Sequence, residues 1–390
     1  MTTRTTRWLL FALVGGFLAM SSSALEAVAA DPRGCQYFGW DALDAWQQHK
    51  SSESPKAETI LVSPPIAPSI RVREVIPSWN ASTPGGSAVR TSIRAKIGER
   101  WTRWYEFGDW ALDPSRHTRE SVPGQKDQDA HVDTDTLILA QPPSTLEMRI
   151  TLVADQDGTQ PKVRFVGLAV SDATALTPDL PPNREAWGRV LEVPERSQVV
   201  YPEGRSSWCS PTSTSMILAY WGQKLHRDGL SNLDVPEVAR GVNDPKWPGT
   251  GNWAFNMAYA GAMPGLRAYV VRLSDPSELE DWIVAGYPVA ISVSYDYLRG
   301  RAKRRASDGH LVVCRGFTEK GEVVVNDPGT RSPVRRVFPR EDLIKGWGHS
   351  RFTAYVILPE DAQPPKDRFG HWFTRTGTKQ ADAPGANAGR

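Results

Sequence analysis

The sequence predicts two unlike folded parts: an all-β, sandwich-like domain over residues 69–175 and an α+β domain over 194–358. Three observations carry this. Residues 69–175 hold short alternating stretches broken by turn signals, with no apolar period of helix length. Residues 194–358 begin with helical stretches and end with apolar, β-branched runs. Between them, Pro178, Pro181, Pro182 and Pro194 mark a linker over 176–193. A length of 390 residues leaves ample chain for buried cores.

Taken in order, the chain opens on Arg4 and Arg7, an apolar stretch from Trp8 to Met20, and small residues at Val28-Ala29-Ala30. That is the order of a secretory signal peptide, over 1–30, cut after Ala30. The alternative is an uncleaved anchor. No later run reaches the ~20 apolar residues that a membrane helix needs. The expected location is therefore secreted, periplasmic or cell-surface, with no membrane attachment after signal cleavage.

Residues 31–68 read as a lead-in segment. Leu43, Trp46 and Gln47 sit at helical spacing within 41–50, and 51–68 is rich in Ser and Pro. In 69–175 the strands are expected at 89–97, 136–140, 146–153 and 163–170, the last two parted by Asp155-Gln156-Asp157-Gly158. Trp79, Trp101, Trp104, Tyr105, Phe107 and Trp110 concentrate here. Exposed aromatics of this kind would stack on sugar rings and make a cell-wall polysaccharide a partner; the alternative is a core set. Asp127, Asp129, Asp133 and Asp135 cluster around His131 but match no calcium loop. In the second part, helices are expected over 212–221, 257–263 and 277–285. Strands follow at 288–294, after Gly309, at 323–326 and at 352–358. The tail, 359–390, is expected to be mostly disordered, ending in an Ala- and Gly-rich stretch.

Composition removes several function classes. With 46 basic and 44 acidic residues the net charge is +2, which argues against nucleic acid or an anionic membrane as partner. Arg299-Gly300-Arg301-Ala302-Lys303-Arg304-Arg305 is a local basic run, either a solvated loop or a contact with an acidic polymer. Seven His without paired spacing, and three Cys far apart, disfavour a metal site, and no cofactor is expected. Of the Cys residues, Cys314 reads as a buried thiol on a core strand, although pairing with Cys35 stays open.

Trp208-Cys209-Ser210-Pro211-Thr212 places a thiol where a helix begins, with Pro211 in the first turn, where a missing N–H costs nothing. The unpaired N–H groups and positive dipole end there favour the thiolate, the nucleophilic form. Asp308-Gly309-His310 opens one strand, and Val325-Asn326-Asp327-Pro328-Gly329 ends another. His310 can take the thiol proton and Asp327 can orient the imidazole. The alternative for His310 alone is a satisfied core histidine.

This set, in the order Cys, His, Asp with Gly-His-hydrophobic and Asn-Asp-Pro flanks, resembles the papain-like cysteine peptidases. It is most similar to peptidase family thirty-nine, whose founding members clip double-glycine leaders from bacteriocins. The resemblance covers residues 194–358 and implies a papain-like α+β fold, a peptide or protein substrate, and catalytic roles for Cys209, His310 and Asp327. It also implies a Gln side chain upstream of Cys209 in the oxyanion site. Glu203 stands at the usual spacing, so Gln198 is the candidate, returned by a loop containing Gly204. The founding members are parts of transporters, so leader cleavage is not carried over. Besides a thiol hydrolase of peptide bonds, an amidase or acyltransferase on cell-wall material, or a non-catalytic binding protein keeping the fold, stays open.

Overall fold

The computed structural model describes residues 34–50, 58–172, 180–301 and 309–366, and the backbone of 372–375. The expected signal peptide, the first part of the linker, most of the basic run and most of the tail lie outside the described residues.

Among the described residues, eleven strands precede the first α-helix. They are β1 (Cys35–Trp40), β2 (Gln47–Lys50), β3 (Glu58–Val62), β4 (Glu74–Ser82), β5 (Ala88–Ile97), β6 (Arg100–Trp101), β7 (Tyr105–Trp110), β8 (Ala130–Asp133), β9 (Thr136–Leu139), β10 (Thr145–Val153) and β11 (Lys162–Ser171). Then come α1 (Cys209–Lys224), α2 (Asp228–Ser231), α3 (Val235–Val242), α4 (Trp253–Ala262), β12 (Leu266–Arg272), α5 (Pro276–Val284), β13 (Val289–Val293), α6 (Tyr295–Leu298), β14 (His310–Phe317), β15 (Val323–Asn326), β16 (Arg335–Phe338), α7 (Arg340–His349), β17 (Thr353–Pro359) and β18 (Trp372–Arg375). Three sheets result, ordered β18-β1-β11-β4-β9-β8, β2-β3-β10-β5-β6 with β7 on β5, and β12-β17-β13-β14-β15-β16. The chain is thus mostly β-sheet with some helices.

The strands expected from alternation form within a residue or two of their expected ends. The helix expected near 41–50 does not. Phe38 and Trp40 lie on β1, which pairs with β11, and Trp46 closes edge-on against Trp40 at 5.7 Å. The aromatic burial that resembled a helix face serves a strand and its turn instead. The second half of the expected linker is docked. Asn183 N–H donates to Glu280 Oε2 at 2.7 Å, Trp187 Nε1 to Glu280 Oε1 at 2.8 Å, and Leu191 N–H to the Arg315 carbonyl at 2.7 Å.

Helix α1 is central and buried from Ser210 to Gly222. Small hydroxyl side chains let sheet and helices approach it closely, and they bond at once. Ser213 Oγ donates to Leu311 O at 3.3 Å, Ser215 Oγ to Thr212 O at 2.7 Å, and Ser210 shares a 2.8 Å bond with Tyr355 OH. A face this polar is affordable because most of its groups find partners; Thr212 Oγ1 is buried without one.

The first eleven strands and the later elements share one hydrophobic core. Trp79 and Trp110, both fully buried, meet Phe255 of α4 at centroid distances of 6.3 and 5.5 Å. β12 is an edge strand, and side chains of β4 satisfy its outer backbone groups. Asn80 Oδ1 accepts from Ala268 N–H at 2.9 Å, Asn80 Nδ2 donates to Ala268 O at 2.7 Å, and Ser78 Oγ accepts from Val270 N–H at 2.9 Å. This continuous packing runs against the independence that the change of composition near the linker implies. The candidate sugar platform is also mostly core: Trp79, Tyr105, Phe107 and Trp110 are buried. Trp101 and Trp104 are half-buried, with the Arg94 guanidinium 4.5 and 4.6 Å from their ring centres. Phe255→Ala should destabilise the whole chain by about 3–5 kcal/mol. Urea unfolding at unchanged m-value checks this, and a cost near zero would show the shared core to be slack.

Candidate active site

The approach to Cys209 is a tight loop. Gly204 accepts from the N–H groups of Ser207 and Trp208 at 3.1 and 3.0 Å. A Cβ on Gly204 would stand 2.1 Å from the Trp208 indole, so only glycine lets that ring fold back. Trp208 caps α1 through its backbone without a side-chain bond, leaving Cys209 in the first turn. The Cys209 sulfur is partly open to solvent and 3.7 Å from the Gly309 carbonyl oxygen. Gly309 has φ +74°, the left-handed region that glycine enters freely, and this turns the chain into β14 at His310.

Antiparallel pairing brings the other groups together. In register, Val293 of β13 faces His310 of β14, and Val313 of β14 faces Asn326 of β15. The start of β14 and the end of β15 therefore meet. His310 Nε2 lies 2.8 Å from Asp327 Oδ1, and the imidazole acts on the Cys209 thiol from close by. Asp327 is fully buried; Oδ1 accepts from Gly329 N–H at 2.9 Å and Oδ2 from Tyr295 OH at 2.6 Å. The Tyr295 ring stands 4.4 Å from the imidazole, centre to centre. A Cβ at Gly329 would press to 3.0 Å on the ring's Cε1, so this position admits little else.

The electrostatics follow from these contacts. Burial alone would push the Cys209 thiol up. The His310 hydrogen bond and charge, with backbone N–H groups of Leu311 and Ser210, outweigh it and hold the thiol below its ordinary value. Burial would push His310 down, but Asp327 and Cys209 raise it to about 9. Asp327 is held low: burial opposes ionisation, and His310, Tyr295 and Gly329 overcome it. Each shift favours a thiolate beside an imidazolium beside a carboxylate. By contrast, burial pushes the Cys314 thiol on β14 up to about 12, and no disulfide joins it to Cys35.

Gln198 is buried in a 3-10 turn, Gln198–Val200. Its Nε2 donates to the Arg205 carbonyl at 2.9 Å, and its backbone N–H donates to the Pro328 carbonyl at 3.0 Å. Its side chain thus braces the Cys209 loop and its backbone the Asp327 loop.

Sequence reasoning missed several residues at the site. Tyr295 was findable: it lies just past Val293, the residue opposite His310. The wall of the cleft was not. Cys209 opens on a cleft of about 400 Å³ lined by Gly309, Leu311, Trp247 and Trp253, and by residues 133–136 of the β8–β9 turn. Asp135, buried there, accepts the Trp253 N–H at 2.5 Å and so caps α4 from another sheet. Burial, the largest effect, raises its carboxyl to about 7. The neighbouring carboxylates are committed elsewhere. Asp127 takes Arg103 Nε at 2.7 Å and Tyr105 OH at 2.7 Å, and Asp129 holds Arg100 by two bonds of 2.8 Å.

A helix-borne thiol followed in the chain by a strand-borne imidazole and carboxylate is the arrangement of papain-like cysteine peptidases. Residues 190–355 match the Peptidase C39 like family, and residues 41–171 match the Peptidase C39 N-terminal domain. Together these matches support a C39-family, papain-like peptidase. Among solved structures it is similar to a C39-like peptidase from Bacillus anthracis, at 18% identity over 45% of this chain and 99% of that one, with a TM-score of 0.34. That likeness is too slight to carry argument. No curated protein matches.

The ionic pairing sets the pH behaviour. Cys209 should alkylate with an apparent pKa below the free-thiol value of about 8.5. The rate should stay high at neutral pH and fall only as pH drops through the lowered thiol value, with Cys314 inert. In His310→Ala the partner charge is gone and burial remains, so the titration should move to or above the free-thiol value. Iodoacetamide kinetics with peptide mapping read both; a wild-type titration at the free-thiol value, indifferent to His310→Ala, would show no pair.

Proposed function

We propose that this protein is a peptide-bond hydrolase in which Cys209 is the nucleophile, His310 the acid and base, and Asp327 the group that orients the imidazole. One observation carries the reading: a buried carboxylate 2.8 Å away holds His310, whose imidazole lowers the pKa of the Cys209 thiol. In this reading the thiolate attacks the scissile carbonyl carbon, forming a C–S bond and placing the carbonyl electrons on oxygen. The imidazolium gives its proton to the leaving amine as the C–N bond breaks. Water, deprotonated by His310, then hydrolyses the thioester. The oxyanion is met by the Cys209 backbone N–H, unpaired in the first helical turn, and by the second amide proton of Gln198. Its first is committed to Arg205, which supports a fixed side chain. The finer fold reading belongs to the same proposal: a papain-like α+β part over 194–358 that follows a sandwich-like part.

Cys209→Ser should abolish peptide turnover, since a hydroxyl ionises far less beside this base. Asp327→Asn should lower kcat roughly hundredfold or more while alkylation of Cys209 falls less, because the imidazole loses its orientation and the sulfur stays. Gln198→Ala should cost roughly 10²–10³ in kcat with KM little changed. Quenched-peptide assays of the three variants decide this; turnover that survives Cys209→Ser would retire the reading. We also propose an exported protein, supported by the charged, apolar and small-residue order of residues 4–30. Intact mass after secretion from a bacterial host should place the new N-terminus near Asp31, and an exported species retaining Met1 would refute it.

A further inference from the structure

We propose that Asp133, at the end of β8, sets the specificity of this site, and that the substrate carries a lysine or arginine side chain within two residues of the cleaved bond. The inference rests on the peptidase reading above. Besides Cys209, the ionisable groups lining the cleft are Asp133 and Asp135. Asp135 is engaged: Trp253 N–H binds Oδ2 at 2.5 Å and the Thr136 hydroxyl donates to Oδ1 at 3.1 Å. Asp133 is exposed, and among the described residues no hydrogen bond or ion pair holds its carboxylate. The turn that presents it is rigidly shaped, with Thr134 at φ 55° and Asp135 N–H bound to the Asp133 carbonyl at 2.7 Å.

Trp247 lines the same cleft and keeps 44% of its surface open. A carboxylate and an uncovered indole in one cleft suit a particular ligand: a long aliphatic stem that lies along the ring and ends in a cation. An acidic side chain would meet like charge, and a neutral one would strip water from Asp133 without replacing it. A second hollow of about 420 Å³ adjoins the first and shares Asp133, Thr136, Trp253 and Gly309 with it. Its own charges are largely settled among themselves. Arg272 and Glu74, 6% and 5% exposed, pair at 2.7 Å, and Arg351 binds the same Glu74. Along the joined trough, Asp133 is the carboxylate left for a substrate, among the described residues.

The test is digestion of a diverse peptide library by the full exported chain and by its Asp133→Asn and Asp133→Lys variants, read by mass spectrometry. The wild type should enrich Lys and Arg at one fixed position near the cut. For a peptide pair differing only as Lys against norleucine, Asp133→Asn should lower the ratio of kcat/KM, Lys peptide over norleucine peptide, at least about tenfold. Asp133→Lys should shift enrichment toward Asp and Glu. Unchanged alkylation kinetics of Cys209 in both variants show that the site is intact. Cleavage without cationic enrichment, or enrichment that survives Asp133→Asn, overturns this proposal and leaves the peptidase reading standing. No cleavage of any peptide by the wild type, with Cys209 no more reactive than a free thiol, overturns both.

Discussion

A carboxylate shut away from water must be given partners by the fold, and Asp327 is that carboxylate here. Leaving such a charge unpaired costs about 3–5 kcal/mol. Three donors meet it from three places: His310 at the start of β14, Tyr295 just past β13, and Gly329 in its own loop. Their convergence requires the pairing of β13, β14 and β15 in one register. A one-residue slip would turn every side chain to the other face and separate them. The register is in turn held where the chain crosses the sheet. A shift between Cys314 and Gly316 lets Arg189 and Val190 approach so closely that a Cβ on Gly316 would stand 2.1 Å from the Arg189 carbonyl oxygen. Asn326, next to Asp327, donates to the Val193 and Pro194 carbonyls at 3.2 Å and accepts from Arg315 at 3.0 Å. The segment before the Cys209 loop is thereby tied to the strand that delivers the carboxylate.

The chemistry at the sulfur follows from that anchoring. An imidazole with a low carboxylate behind it holds its proton more firmly, and a firmly held imidazolium stabilises the thiolate in front of it. Helix α1 adds the positive end of its dipole. The geometry also explains two glycines as requirements of the site. Gly309 must take φ +74° to deliver His310, and Gly329 must leave room for the imidazole.

Much of this was legible in the sequence. Cys209, His310 and Asp327 could be singled out because helix-start and strand-end positions have local signatures, in Pro211, Gly309 and Asn326-Asp327-Pro328. The strands at 88–97, 145–153 and 162–171 showed in alternation. What was hidden depends on contacts far apart in the chain. Trp46 packs on Trp40, so its helical spacing from Leu43 misled. Residues 183–191 look like a polar, Pro-flanked linker, yet they hydrogen-bond to Glu280 and the edge of β14. Trp79 and Trp110 read equally well as a sugar platform until Phe255, on a helix remote in sequence, is seen to cover them.

The β8–β9 turn is the most consequential of the hidden contacts, because it binds the early strands to the reacting end of the molecule. Asp135 caps α4 from outside its own segment, and the capped residue, Trp253, lines the cleft. Further along α4, Asn256 accepts from Thr214 of α1 at 3.3 Å and donates to Thr250 O and Asn252 O at 2.8 Å. A polar chain therefore runs from a turn of the first strands, through α4, to the helix that starts at Cys209. Such a chain is stiff only while every member is satisfied. The early strands thus supply one wall of the cleft on which Cys209 opens.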